Sequence, residues 1–204
     1  MQIVNNVSLA IKDIKVLQFK RFRDDRGYFT EHYRKDACDL FNASFVQCNE
    51  SFSETNVMRG LHFQWNPFMG KLVRTVHGHM IDMILDIRKS SPTLGKILLY
   101  DMPCNHQDDV SQWIWVPPGF AHGNFFLEPT TIEYFCSGAY SPGNEAGISP
   151  LSEDIDWSLV DSSLKKLANR AKVTAILSEK DRVGLTLTEW LNDERSNNFI
   201  YGEC

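Results

Sequence analysis

Met80-Ile81-Asp82-Met83-Ile84-Leu85-Asp86-Ile87-Arg88 reads as a β-strand. Side chains of an extended chain alternate between two faces, so Ile81, Met83, Leu85 and Ile87 share one face, and Asp82 and Asp86 lie on the other. Ser90-Ser91-Pro92-Thr93-Leu94-Gly95 ends the strand with turn residues. Outward from this segment the pattern repeats. Strands are expected over 57–64, 72–76, 97–102, 112–116, 123–127 and 131–136, with short turns between them. Many short strands at this spacing predict a mainly β sandwich or barrel.

Toward the N-terminus, residues 16–22 and 28–33 flank the turn Asp24-Asp25-Arg26-Gly27 and predict a hairpin. A short helix is expected over 35–42 and a strand over 45–51. After Trp157 the period changes. Leu164, Leu167, Ala168 and Ala171 recur at helical intervals, and Thr186 to Asn192 forms a second helical stretch. The expectation is one domain of 204 residues: a barrel with N-terminal strands over 1–157 and a helical C-terminal extension over 158–204.

Composition narrows the function classes. A formal net charge of -5 argues against a general nucleic-acid binder, yet permits a small anionic ligand, which needs only a few local cations. No apolar run approaches the ~18 residues of a membrane span, and the start Met1-Gln2-Ile3-Val4-Asn5-Asn6-Val7 lacks the pattern of a signal peptide. Nucleic acid and membrane are therefore not expected partners. The five cysteines are scattered, odd in number and without Cys-x-x-Cys, which fits reduced thiols in a cytoplasm.

Three places carry possible chemistry. The first is Arg59-Gly60-Leu61-His62. A strand histidine is most simply a hydrogen-bonded core residue, but a neighbouring arginine can hold an anion while the imidazole takes a proton near neutral pH. Positions 59 and 62 of a regular strand face opposite ways, and Gly60 offers a bulge that would re-aim them. The second is Pro117-Pro118-Gly119-Phe120-Ala121-His122, a tight turn into a strand that also fits a cupin-type motif with His122 facing a barrel interior. Cupins often hold a metal there. His77-Gly78-His79 sits at a turn with no convergent further ligands, so no metal site is expected. The third is Tyr134, a core aromatic by default and a possible proton donor. Lys71 and Lys180 are solvated charges by default, and Asp181 a turn or helix-start residue.

These motifs coincide with a family. Residues 16–148 carry Asp25-Arg26-Gly27-Tyr28-Phe29-x-Glu31, Phe45-Val46-Gln47-x-Asn49-x-Ser51, Arg59-Gly60-Leu61-His62-Phe63-Gln64 and Gly70-Lys71-Leu72-Val73-Arg74. They continue with Asp86-Ile87-Arg88-Lys89-x-Ser91-Pro92-Thr93-x-Gly95, Pro117-x-Gly119-Phe120-Ala121-His122-Gly123 and Tyr140-x-Pro142-x-x-Glu145-x-Gly147-Ile148. In this order they resemble the dTDP-4-dehydrorhamnose 3,5-epimerase family of nucleotide-linked 4-keto-6-deoxy-sugar epimerases.

The resemblance implies a cupin-like double-stranded β-helix (a jelly-roll barrel), a homodimer, no cofactor and no catalytic metal. It also implies a nucleotide-diphospho sugar substrate and a role in surface-polysaccharide synthesis. It implies His62 as proton acceptor, Asp181 as the carboxylate orienting it, Tyr134 as proton donor and Lys71 beside the keto oxygen. Gln47, Asn49, Arg59, His122, Glu145 and Lys180 match substrate contacts, and Arg26 and Glu31 match contacts to a neighbouring subunit's nucleotide. Two other readings stay open: a sugar-nucleotide 3,4-ketoisomerase, and a non-catalytic cupin that binds a nucleotide sugar. A metal-dependent cupin oxygenase is a more distant one.

Overall fold

The computed structural model describes residues 1–35 and 43–203. The helix expected over 35–42 falls almost wholly outside those residues. The strands are β1 (Ile3–Ser8), β2 (Lys15–Lys20), β3 (Phe22–Asp24), β4 (Gly27–Phe29), β5 (Gln47–Ser53), β6 (Met58–Gln64), β7 (Lys71–His77), β8 (His79–Asp86), β9 (Ile97–Pro103), β10 (Val110–Val116), β11 (Phe120–Phe126), β12 (Thr130–Cys136) and β13 (Glu145–Gly147). Six form one sheet in the order β1-β2-β10-β7-β12-β5, and five form the other in the order β13-β6-β11-β8-β9. The two antiparallel sheets make the cupin-like barrel that the sequence predicts.

The expected hairpin is present but short. β3 and β4 pair over three residues each, and the strand expected over 28–33 ends at Phe29, where its pairing with β3 stops.

β8 explains how the layers are filled. Met80 and Ile84 point between the sheets and pack with Val16, Val73, Ile114 and Ile132. Ile81, Met83, Leu85 and Ile87 point outward, where Ala168, Leu187, Trp190 and Phe199 of the C-terminal extension cover them. The uniformly apolar face is thus the outer one, and Asp82 and Asp86, both 0% exposed, share the face turned into the barrel.

The extension contains α1 (Ser162–Thr174), α2 (Glu179–Arg182), α3 (Leu187–Asn192) and a 3-10 turn at Glu194–Asn198. Asp161 caps α1, its side chain accepting from Ser163 N–H at 2.8 Å, and Thr186 with Glu189 forms a capping box for α3. Backbone bonds stitch the extension to the sheet: Met58 N–H to Ile176 C=O at 3.0 Å, Ser149 N–H to Leu185 C=O at 2.8 Å and Lys89 N–H to Phe199 C=O at 2.8 Å. The first two flank Asp181, so a residue distant in sequence is delivered to the barrel at a fixed place. Among the described residues no helix is long and apolar enough to cross a membrane, and Cys48, Cys104 and Cys136 are free thiols.

Asp86 and Arg88 tie the end of β8 together. Arg88 Nε and Nη2 donate to the two Asp86 oxygens at 2.9 and 2.8 Å, and Nη1 donates to Asp13 at 3.1 Å. Ser91 and Thr93 hydroxyls also donate to Asp86, at 2.7 and 2.6 Å. Burial alone would raise the Asp86 pKa, but Arg88, Ser91 and Thr93 hold it below its usual value. That part of the stability is therefore complete at neutral pH and is lost as pH falls through the lowered pKa. Arg88→Met leaves a buried carboxylate without its counter-charge. It is expected to lower the unfolding free energy by about 3 kcal/mol, read by urea denaturation. A loss under 1 kcal/mol would contradict this account.

Candidate active site

The β6–β11 register contains the device that assembles the site. His62 pairs with His122 and Arg59 with Asn124, so two residues of β6, Gly60 and Leu61, oppose one of β11. This is a bulge, and it turns Arg59 and His62 to the same side. Glycine is required on both strands. Gly60 has φ +110, and a Cβ there would lie 2.5 Å from Gly123 Cα; a Cβ on Gly123 would lie 2.3 Å from Arg59 C=O. Arg59 is exposed, not buried, with Nε donating to Ser53 Oγ at 2.9 Å and Nη2 to Phe52 C=O at 3.2 Å.

His62 Nε2 lies 2.6 Å from Asp181 Oδ1. The carboxylate is 6% exposed, and its pKa is held down against burial by His62, by the Ser178 hydroxyl and by the Gly60 N–H. Asp181 therefore stays ionised at neutral pH and fixes the ring through Nε2–H. His62 lines an inner cavity together with Arg59, Lys71, His122 and Tyr134. His62 and Tyr134 come from different sheets, so they face the cavity from its two walls. An outer cleft shares His62, Lys71 and Tyr134 with this cavity and adds Gln47, Asn49 and Glu145. A third hollow on the side of the extension joins His62 and Tyr134 to Arg59, Lys180 and Asp181.

Among the described residues Lys71 has no ion-pair partner. Burial pulls its pKa down, while the Cys136 thiol, Asp82 and Glu145 oppose that pull. Burial also raises the Tyr134 pKa, which keeps the phenol protonated; Asn49 and Arg59 act against the shift. His122 Nε2 lies 2.7 Å from Asp82 Oδ1 in the cavity floor. At the cleft mouth Glu145 accepts from Tyr140 at 3.0 Å and from Lys180 at 2.8 Å, and these bonds lower its pKa against the effect of burial. The site thus offers an imidazole backed by a carboxylate, a protonated phenol across from it, and an ammonium lining the same cavity: parts for moving protons beside a carbonyl.

A family model described as dTDP-4-dehydrorhamnose 3,5-epimerase matches residues 8–189 of the chain. The chain belongs to this family. A dTDP-4-dehydrorhamnose 3,5-epimerase of Salmonella typhimurium is 35% identical over 178 residues, covering 85% of this chain and 95% of the relative. The structure is similar to that of a dTDP-6-deoxy-D-glucose-3,5-epimerase from Legionella pneumophila Philadelphia 1 in complex with dTDP-4-keto-L-rhamnose. The two superpose with TM-score 0.78 at 30% identity, over 96% of this chain and 97% of that one. A dTDP-4-dehydrorhamnose 3,5-epimerase from Bacillus anthracis with TDP and PPi bound gives TM-score 0.73 at 34% identity, over 89% and 98%.

Most residues that the sequence assigns to an epimerase site of this family converge. His62, Lys71, Tyr134, Asp181, Gln47, Asn49, Arg59, His122, Glu145 and Lys180 each line at least one of three hollows that share His62 and Tyr134. Arg26 and Glu31 do not. Arg26 sits at the exposed tip of the β3–β4 hairpin, paired with Asp24 at 2.5 Å. Glu31 forms ion pairs with the N-terminal amine of Met1 and, at 3.9 Å, with Arg34. His79 pairs with Asp101, and among the described residues no group of three or more His, Cys, Asp or Glu is arranged to hold a metal. Sequence reasoning left out Asp82, Asn124, Cys136 and Tyr140. An acid inside an otherwise apolar strand was a legible signal for Asp82; the others are ordinary strand or turn residues whose place depends on register.

Proposed function

We propose that the protein inverts C3 and C5 of a nucleotide-diphospho-4-keto-6-deoxy sugar through enolate intermediates. The observation that carries this reading is the His62–Asp181 pair facing Tyr134 across one cavity that also holds Lys71. Both carbons flank the C4 ketone, so their protons become removable once the oxygen can bear charge. Nε2 of His62 is committed to Asp181, which leaves Nδ1 as the basic nitrogen. His62 takes the proton as a C–H bond becomes the enolate double bond, and Asp181 favours the imidazolium. Lys71 stabilises the enolate oxygen. Tyr134 gives a proton to the opposite face of the carbon, which inverts it. Protons are only exchanged, so the reaction balances with no electron carrier or co-substrate.

Arg59 and Lys180 hold the diphosphate, with Lys180 exchanging Glu145 for it, and Gln47 and Asn49 border the route to the nucleotide. Arg26 and Glu31, remote from their own chain's cavity, belong to the nucleotide site of a second copy in a homodimer. The setting is the cytoplasm, in synthesis of surface-polysaccharide sugars.

The test is solvent exchange. In D2O, a dTDP-linked 4-keto-6-deoxyhexose should gain deuterium at C3 and C5 with inversion at both. Tyr134→Phe should retain exchange and lose inversion, seen by proton NMR of the sugar ring; unchanged inversion would remove the phenol from the mechanism. A product with its carbonyl moved to C3 would indicate a ketoisomerase, and binding without exchange a non-catalytic protein.

A further inference from the structure

Asn124 lies on β11 and lines the inner cavity with His62, Lys71 and Tyr134. It is 5% exposed, and among the described residues its side-chain amide has no hydrogen-bond partner, with Oδ1 sealed from solvent. Directly opposite it on β8 stands Asp82. Asp82 Oδ1 receives a bond from His122 at 2.7 Å, and among the described residues the buried Oδ2 has no partner. Directly opposed side chains of a sheet have Cβ atoms roughly 5 Å apart, within reach of each other.

Two orphaned acceptors on directly opposed residues have one simple resolution. A half-turn of the Asn124 amide makes Nδ2–H the donor to Asp82 Oδ2 and turns Oδ1 into the cavity. Asp82 is then held from both sides, by His122 and by Asn124. The cavity then gains a carbonyl oxygen from the Asn124 amide. Buried acceptors rarely go without a partner, so its donor is sought in the ligand. A sugar ring supplies it as a hydroxyl.

Building on the epimerase reading, we propose that Asn124 is a specificity-determining residue. It accepts a hydrogen bond from the C2 or C3 hydroxyl of the 4-keto sugar, and so selects hydroxylated substrates over deoxy ones. Asp82 acts through it as a positioning residue, keeping the amide in the accepting orientation.

The test uses exchange at C5, which all three of the following substrates can undergo: the dTDP-linked 4-keto-6-deoxyhexose, its 2-deoxy analogue and its 3-deoxy analogue. For the wild-type protein, kcat/KM for deuterium uptake should fall roughly 10–100-fold on one of the two analogues. Asn124→Leu should lose a similar factor on the full substrate and no longer distinguish it from that analogue. Asn124→Ala, checked by thermal melting, repeats the comparison without the larger apolar side chain. Equal rates of the wild type on all three substrates would overturn the proposal without any variant. So would discrimination that persists in both variants. In either case continued C5 exchange leaves the epimerase reading standing. No exchange by the wild type on any of the three would instead overturn that reading, and this inference with it.

Discussion

His62→Asn is expected to lower kcat by roughly 10²–10⁴ and to abolish deuterium uptake from solvent at C3 and C5. The size follows from what is removed. Asparagine keeps a polar group near Asp181 but has no basic nitrogen, so no group remains at that position to take the proton. The carboxylate cannot substitute, because it is 6% exposed and lines only the hollow on the side of the extension, not the inner cavity that holds Lys71. Affinity for dTDP, measured by calorimetry, should change little, since the diphosphate is assigned to Arg59 and Lys180. Exchange at wild-type rates in His62→Asn would move the base elsewhere. Loss of nucleotide binding together with exchange would show a collapsed cavity and not a missing base.

Lys71→Met should lower kcat by roughly 10²–10³, the scale of removing one donor to a developing oxyanion. Methionine preserves most of the stem, so the comparison isolates the charge. The pH profile adds a second reading. Burial draws the Lys71 pKa below its usual 10.5, whereas it raises that of Tyr134 above 10.0. As pH rises, loss of the ammonium charge contributes an alkaline decline in kcat that belongs to Lys71. That decline should start below the pH at which an exposed lysine titrates, and it should disappear in Lys71→Met. An identical alkaline limb in the variant would assign it to another group.

The same chain shows where sequence reasoning succeeded and where it misled. The Asp86-Ile87-Arg88 to Thr93 block is as distinctive as any motif in the chain, yet it builds a buried clamp at the end of β8 and not a binding surface. Alternation identified β8 as a strand. It left open which face looks inward, and the barrel interior takes the face with two aspartates because the C-terminal extension covers the apolar one. The conflict between Arg59 and His62 was visible as a problem of period, and Gly60 as its remedy. Only the pairing with β11 shows the extra residue that turns both side chains one way. Asn124 was invisible, since an asparagine in an apolar strand says nothing until its neighbours across the sheet are known.

Local order in the chain determined what is local: the strands, the turns that end them, the helical period after Trp157, and a set of motifs specific enough to mark the family. Those properties depend on steric preference and on neighbours two to four residues apart, which any short window contains. The tertiary structure alone decided that Asp181 stands behind His62, 119 positions away, that Tyr134 and His62 line one cavity from different sheets, and that Lys71 lines it too, without a counter-ion among the described residues. Those relations come from strand register, a bulge and a stitched-on extension. Each is set by long-range pairing, in which a shift of one residue turns every side chain to the other face.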